Sequence, residues 1–138
     1  MNIIYGTAVE GRDIDITARV VDPLGAVLVP GDIASYTVDI YDLSESPRDE
    51  SPVYEFSSST SSEVIKSSLV TDGRWSADAL GYNFIYRLKH STISPLILKG
   101  GRVYRVEVWL TSDASPTNDP TGDIPVLVEL NVLSTFTK

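Results

Sequence analysis

The stretch GGRVYRVEVWLTSDASPTNDPTGDIPVLVELNVL, residues 100–133, contains two runs in which apolar and polar side chains alternate. The runs are Arg102 to Thr111 and Ile124 to Ser134. A period of two residues places alternate side chains on opposite faces of a β-strand, so each run has one apolar face. The segment between them, Ser112 to Asp123, is rich in Pro, Asn, Asp and Gly, which favour turns and loops. The stretch therefore predicts an antiparallel hairpin with a long loop.

The rest of the chain repeats this alternation in shorter runs. Asp13 to Val21, Ser35 to Leu43 and Tyr82 to Leu88 each have one apolar face. Pro52 to Phe56 is predicted to be a short edge strand, because proline is tolerated at the edge of a sheet and not at its centre. Glu63 to Val70 is ambiguous and is interpreted as a strand, although Ser62 would also cap a short helical turn there.

Turn signals separate these runs. DPLG, Asp22 to Gly25, has proline at the second position of a predicted tight turn, and Ala26 to Val29 would return briefly as a strand. About seven to eight short strands of this kind are typical of an all-β, immunoglobulin-like antiparallel β-sandwich. We expect residues 13–134 to form that single domain. Residues 1–12 would be an N-terminal arm or edge strand, and residues 135–138 a C-terminal tail.

Composition limits the functions that need to be considered. The chain has 138 residues, enough for one domain with its own core, and it has no cysteine, which excludes disulfides and thiolate zinc sites. With 19 acidic and 11 basic residues, its net charge of −8 opposes binding to nucleic acid. There is no apolar run long enough to cross a membrane and no signal-peptide pattern at the N-terminus. We therefore expect a protein made in a cytoplasm, with neither nucleic acid nor membrane as its partner.

Nothing in the sequence indicates an enzyme or a cofactor site. His90 is the single histidine, and no G-x-S-x-G pattern supplies an activated serine for it. Asp13 and Asp15 share a strand face, as do Asp39 and Tyr41, but no feature places either pair in the cleft that glycoside hydrolysis requires. We predict no catalytic residue and no cofactor.

One acidic loop is a weak candidate for a metal site. Its oxygen-bearing side chains are Asp113, Asn118, Asp119 and Asp123. Calcium binds six to eight such oxygens, yet the spacing of a calcium-binding loop is absent. The prolines at positions 116 and 120 favour a stiffened, solvated loop instead. We predict no metal ligand here.

Five side chains are candidate contacts for a partner protein: Tyr41, Trp75, Trp109, Leu127 and Phe136. Outward apolar groups on a sheet mark interfaces, and tryptophan and tyrosine are enriched where binding energy is concentrated. The alternative for the two tryptophans is that they cover the core beneath loops.

The chain also resembles a known group of proteins. The segments that carry the resemblance are ITARVVDPLG at Ile16 to Gly25, YTVDIYDLS at Tyr36 to Ser44, DGRWSADALGYNF at Asp72 to Phe84, GGRVYRVEVWLT at Gly100 to Thr111 and DIPVLVELNVL at Asp123 to Leu133. In that order they resemble small immunoglobulin-like structural proteins of tailed bacteriophage particles, a group that includes modules of tail and baseplate proteins. The resemblance implies a virion component without catalytic residues.

The resemblance leaves several roles open. The favoured one is a capsid decoration or cement protein that binds the major capsid protein and associates with copies of itself. A neck or tail adaptor that binds other neck and tail proteins is the first alternative. A carbohydrate-binding adhesive module, with Trp75 and Trp109 as stacking platforms, is the second.

Overall fold

The structure is a computed structural model that describes residues 3–9, 12–44, 52–75, 78–89, 101–118 and 122–133. These residues form eight strands and two single-turn 3₁₀ helices, Pro30–Asp32 and Ser61–Glu63. The strands are β1 (Ile3–Val9), β2 (Ile14–Ala18), β3 (Ile33–Asp42), β4 (Tyr54–Ser58), β5 (Ile65–Val70), β6 (Tyr82–Leu88), β7 (Val103–Ser112) and β8 (Ile124–Leu133).

The strands form two sheets that pack face to face. The larger sheet has the order β1-β8-β7-β3-β4, and the smaller has the order β2-β6-β5. The prediction of an all-β sandwich is confirmed, and β4 lies at a sheet edge as predicted, although it begins two residues after Pro52 and ends at Ser58. One pair departs from the antiparallel arrangement, because β1 runs parallel to β8. Parallel neighbours need a long connection, and here the whole sandwich separates the two strands in sequence.

The core lies between the sheets and contains the apolar residues of the alternating runs. The fully buried ones on the larger sheet include Tyr36, Val38, Ile40, Tyr104, Val106, Val108, Leu110, Val128, Leu130 and Val132, and on the smaller sheet Ile16, Ile65, Phe84 and Leu88. Burial of such side chains stabilises by about 1.5 to 3 kcal/mol each. The hairpin of β7 and β8 therefore contributes a large part of the core, as its pattern predicted.

The predicted strand Asp13 to Val21 is too long, since β2 ends at Ala18. Beyond that point the fully buried side chain of Asn83 takes the place of a neighbouring strand. Its Oδ1 accepts from Val20 N at 2.7 Å, and its Nδ2 donates to Val20 O at 3.0 Å and to Leu28 O at 2.8 Å. A buried amide with three partners satisfies backbone groups that a ladder would otherwise pair.

The turn at Asp22 forms as predicted. Gly25 N donates to Asp22 O at 2.9 Å, and the φ of Gly25 is +90°, a conformation that glycine adopts without strain. The return strand expected at Ala26 to Val29 is wrong, because only one bridge forms there, between Val27 and Val21.

The first helical turn carries a buried carboxylate. Asp32 is fully buried, and it accepts backbone N–H bonds from Val29 at 2.9 Å, Thr117 at 2.8 Å and Asn118 at 3.0 Å. Burial by itself raises the pKa of Asp32, but these N–H donors together outweigh burial and lower the pKa. The loop after β7 is thereby attached to the turn before β3.

The second helical turn explains the ambiguity at Glu63 to Val70. Ser61–Glu63 is helical and β5 follows at Ile65, so the strand interpretation is right for most of the segment. The residue at the N-cap position is Thr60, and it makes no side-chain capping bond, so the expectation of a cap at Ser62 is wrong.

Candidate functional site

Three of the five predicted contact residues share one surface, the outer face of the larger sheet. Tyr41 lies on β3, Trp109 on β7 and Leu127 on β8, and all three are half-buried at positions that alternate with core residues. Trp75 lies elsewhere, beside the smaller sheet. Phe136 lies outside the described residues.

Strand register determines which of these side chains are neighbours. Trp109 is directly opposite Thr37 on β3 and Pro125 on β8, while Leu127 is opposite Glu107. Directly opposed residues in antiparallel strands have their side chains on the same face, about 5 Å apart. The indole Nε1 of Trp109 donates to Glu107 Oε1 at 3.1 Å. This bond holds the ring against the sheet and leaves its apolar surface outward.

An acidic row crosses the same face. Glu55 on β4, Asp39 on β3 and Glu107 on β7 are directly opposed in register. Burial raises the pKa of Asp39, and the charges of Glu55 and Glu107 raise it further. Because like charges opposite one another destabilise a sheet, this row is retained at some cost to stability.

One arginine accompanies the acids. Arg105 on β7 lies between Tyr41 on β3 and Glu129 on β8, and its Nη1 is 3.4 Å from Glu107 Oε2. Its Nε is buried and has no hydrogen-bond partner among the described residues. The outward positions of β3, β4, β7 and β8 thus hold four carboxylates against this single cation. The face has excess negative charge around an aromatic and apolar centre.

Trp75 packs the turn before β6 against the smaller sheet. Its ring centroid is 5.9 Å from that of the buried Tyr82, and the Arg19 guanidinium lies 5.9 Å from the indole. Its Nε1 donates to Asp78 Oδ1 at 3.0 Å. Trp75 and Trp109 are therefore on opposite sides of the sandwich, and they do not form one stacking platform.

Sequence reasoning missed a cleft at the open side of the sandwich. It is lined by Tyr36, Tyr54, Phe56, Glu63, Val64, Tyr86, Arg87 and Lys89. Each aromatic residue occurs at an alternating position of a run that reads as ordinary core. The available signal was the concentration of tyrosine and phenylalanine on and beside the predicted edge strand, a place where a core is thin.

The acidic loop forms hydrogen bonds to backbone groups. In the acidic loop, Asp113 Oδ2 accepts from Ser115 N at 3.1 Å, and Asn118 Nδ2 donates to Val27 O at 3.2 Å. His90 and Asp119 lie outside the described residues. Within the described ranges no group of three or more His, Cys, Asp or Glu side chains is placed to hold a metal ion. Neither described helix has the length and apolar character of a membrane span.

Comparison of the chain with protein-family models, with curated proteins and with solved structures gives no match. The function is therefore argued from the geometry above and from the resemblance of its sequence segments.

Proposed function

We propose that this chain is a non-enzymatic structural protein of a tailed bacteriophage particle, an immunoglobulin-like sandwich that decorates and cements the capsid by binding the major capsid protein. The observation that carries the proposal is the outer face of the larger sheet, where Tyr41, Trp109 and Leu127 are half-buried on one rigid surface. A surface of this kind is suited to burial against a second protein.

The strand order supports the immunoglobulin-like part of the proposal. In variable-type immunoglobulin sandwiches a sheet containing strands G, F, C and C′ faces a sheet containing B, E and D. Here the chain order gives β8-β7-β3-β4 facing β2-β6-β5, which is the same arrangement when the strands are lettered in sequence. The segments that resemble phage proteins contain all or part of β2, β3, β6, β7 and β8.

The charge of the face supports a partner with basic groups. Four carboxylates with one arginine create a negative potential that attracts cations and steers their approach. Burial is the main cause that raises the pKa of Asp39, and the charges of Glu55 and Glu107 raise it further; lysine or arginine side chains of a capsid subunit would offset that second, like-charge contribution. Opposite charges on the partner would therefore offset the like-charge repulsion within the row.

A neck or tail adaptor is the alternative within the same class, and it would use the same face. The two roles differ in copy number, because a decoration protein covers a repeated capsid lattice and an adaptor occupies one vertex. Counting this chain against the major capsid protein in purified particles separates them. A ratio near one per capsid subunit or per capsomer is expected.

The role of the outer face of the larger sheet is tested by replacing a leucine with glutamate at two different positions. Leu127→Glu puts a charge at the centre of the face, and Leu24→Glu puts the same charge on a turn where the leucine is 95% exposed. In co-sedimentation with capsids that lack the protein, we expect Leu127→Glu to weaken binding at least about tenfold, or about 1.4 kcal/mol. Leu24→Glu should bind as the unmodified chain does.

Circular dichroism and thermal melting check that both variants are folded. Absence of the protein from intact particles would refute the proposal. Equal binding by the two variants, with both folded, would remove this face from it.

A further inference from the structure

The cleft opens where the two sheets part beside the edge strand β4. Tyr54 and Phe56 reach it from β4, Tyr36 from β3, and Tyr86 from β6 of the smaller sheet. Phe56 is 41% exposed although it faces the same way as the core residue Val38, its directly opposed neighbour. An aromatic ring is therefore available to a ligand on the inner side of an unclosed edge.

The rings form a fixed wall. The centroid of Tyr36 lies 6.1 Å from that of Phe56 and 6.3 Å from that of Tyr86, with tilted and edge-on geometries that aromatic pairs favour. Burial raises the pKa of Tyr86, and the neighbouring Tyr54 raises it further. Burial likewise raises the pKa of Tyr36, so the phenols of Tyr36 and Tyr86 are neutral hydroxyl groups at neutral pH.

A carboxylate is held at the rim by hydroxyl groups. Glu63 Oε1 accepts from Tyr36 Oη at 2.7 Å and from Ser58 Oγ at 2.7 Å. Its Oε2 has no hydrogen bond within the described part of the chain. The donors orient Glu63 on one oxygen and leave the other as an acceptor beside the aromatic wall.

Cationic donors complete the rim. Arg87 lines the cleft, and its Nε and Nη2 donate to Asp15 at 2.6 and 2.9 Å, which orients the guanidinium. Lys89 also lines the cleft and is exposed. The rim therefore offers both an anionic acceptor and cationic donors.

We propose that this cleft binds one pyranose ring of a neutral carbohydrate. The apolar face of the sugar packs against Phe56 and Tyr86, and its hydroxyl groups donate to Glu63 and accept from Lys89. A sugar hydroxyl both donates and accepts, so a neutral sugar satisfies this mixed rim. A charged ligand would meet both signs of charge at this rim, Glu63 on one side and Arg87 and Lys89 on the other, whereas a neutral sugar needs only hydrogen-bond partners.

This site lies in a different part of the sandwich from the proposed capsid contact, although Phe56 also lies beside Thr37, Asp39 and Glu55 of the contact face. It lies between the sheets at their open side, whereas the contact face is the outer surface of the larger sheet. It also replaces the arrangement expected from the two tryptophans, which are on opposite sides of the sandwich. Glu63→Gln should therefore weaken sugar binding and leave capsid binding unchanged, and Leu127→Glu should weaken capsid binding and leave sugar binding unchanged.

The test begins with an array of neutral oligosaccharides and the intact chain, followed by a titration of the best-bound glycan by NMR. Glu63→Gln keeps the shape of the side chain and removes its charge, and we expect it to weaken binding at least fivefold. Phe56→Ala should weaken binding at least tenfold. Val53→Ala, at a residue 43% exposed near β4 and outside the cleft lining, is the matched control and should change nothing.

When the protein is titrated with the neutral glycan, the largest chemical-shift changes should occur at Tyr54, Phe56 and Tyr86. The proposal is overturned if no neutral glycan binds saturably, if anionic glycans bind better, or if folded Glu63→Gln binds as tightly as the unmodified chain. Because that substitution is isosteric, it tests the site even if Phe56→Ala fails to fold.

Discussion

The two outer faces of the sandwich differ in how their carboxylates are paired. On the smaller sheet and its adjoining turn, each of three aspartates is paired with an arginine: Asp15 with Arg87 at 2.6 Å, Asp72 with Arg74 at 2.8 Å and Asp78 with Arg19 at 2.7 Å. The hydrogen bond from the partner arginine is the main cause that lowers the pKa of each aspartate. On the larger sheet, Asp39 lies between Glu55 and Glu107, and its pKa is raised.

The contrast shows which face pairs its carboxylates with cations of the same chain. The smaller sheet satisfies its carboxylates from its own chain, so a partner could add little there. The larger sheet keeps like charges side by side around Trp109, which costs stability in the free protein. Like-charge repulsion destabilises this surface in the free protein, so a partner with opposite charges can stabilise it most.

The largest expected difference between the faces is between their tryptophans. Trp75→Ala removes the ring contact with Tyr82 and the cation–π contact with Arg19, and we expect a loss of about 2 kcal/mol in the free energy of unfolding. Trp109→Ala removes a ring from the outer surface and should cost about 0.5 kcal/mol. Urea denaturation of both variants measures the difference. Equal losses in the free energy of unfolding would mean that Trp109 stabilises the fold and is not mainly a contact for a partner protein.

A smaller effect is expected at Asp15. Its side chain is 15% exposed and is bonded to Arg87 through two atoms, so Asp15→Ala should destabilise the fold by about 1 kcal/mol. The folded pKa is lowered, so this stability is present above the unfolded pKa of about 3.9 and is lost as pH falls toward the folded value. Asp123→Ala, at an exposed carboxylate before β8, is the control and should be neutral. If Asp15→Ala lowered the free energy of unfolding as much in acid as at neutral pH, the ion-pair explanation would be contradicted.

The smallest effect has the opposite sign. Asp39→Asn removes one charge from the acidic row, and we expect it to stabilise the protein by about 0.5 kcal/mol near neutral pH. The folded pKa of Asp39 is raised, so its penalty is fully present above that pKa and disappears as pH falls through it to the unfolded value. The advantage of the variant should therefore vanish in acid.

The matched control for Asp39→Asn is Glu129→Gln, because Glu129 lies opposite Arg105 on the same face. That variant should be neutral or slightly destabilising in the same melting experiments. Stabilisation by both changes would point to net charge rather than to the local row. Destabilisation by Asp39→Asn would show that the carboxylate has a favourable partner.

Most of the strands were predictable, because their alternation records which side of each strand is buried. The runs that became β3, β6, β7 and β8 were located within two residues of their observed bounds. The same alternation assigned Tyr41, Trp109 and Leu127 to the outward side of their strands. It could not show that these strands are neighbours, since that depends on register between segments far apart in the chain.

Two buried polar side chains with long-range partners could not be predicted from the sequence. Asn83 alternates with core residues and would be expected to face outward, yet it is buried and pairs the backbone at Val20. Asp32 appears in a turn sequence and is buried beneath the loop that contains Asn118. Both partners are more than 60 residues away in sequence, so no local pattern indicates them.

The amino-acid sequence by itself determined that this protein is an all-β sandwich, because a two-residue period is a local property that any short segment shows. The tertiary structure alone decided which outer face balances its charges, which tryptophan supports the fold and where four aromatic rings leave a cleft. Those features depend on distances between segments brought together by folding, and no one-dimensional pattern contains such distances.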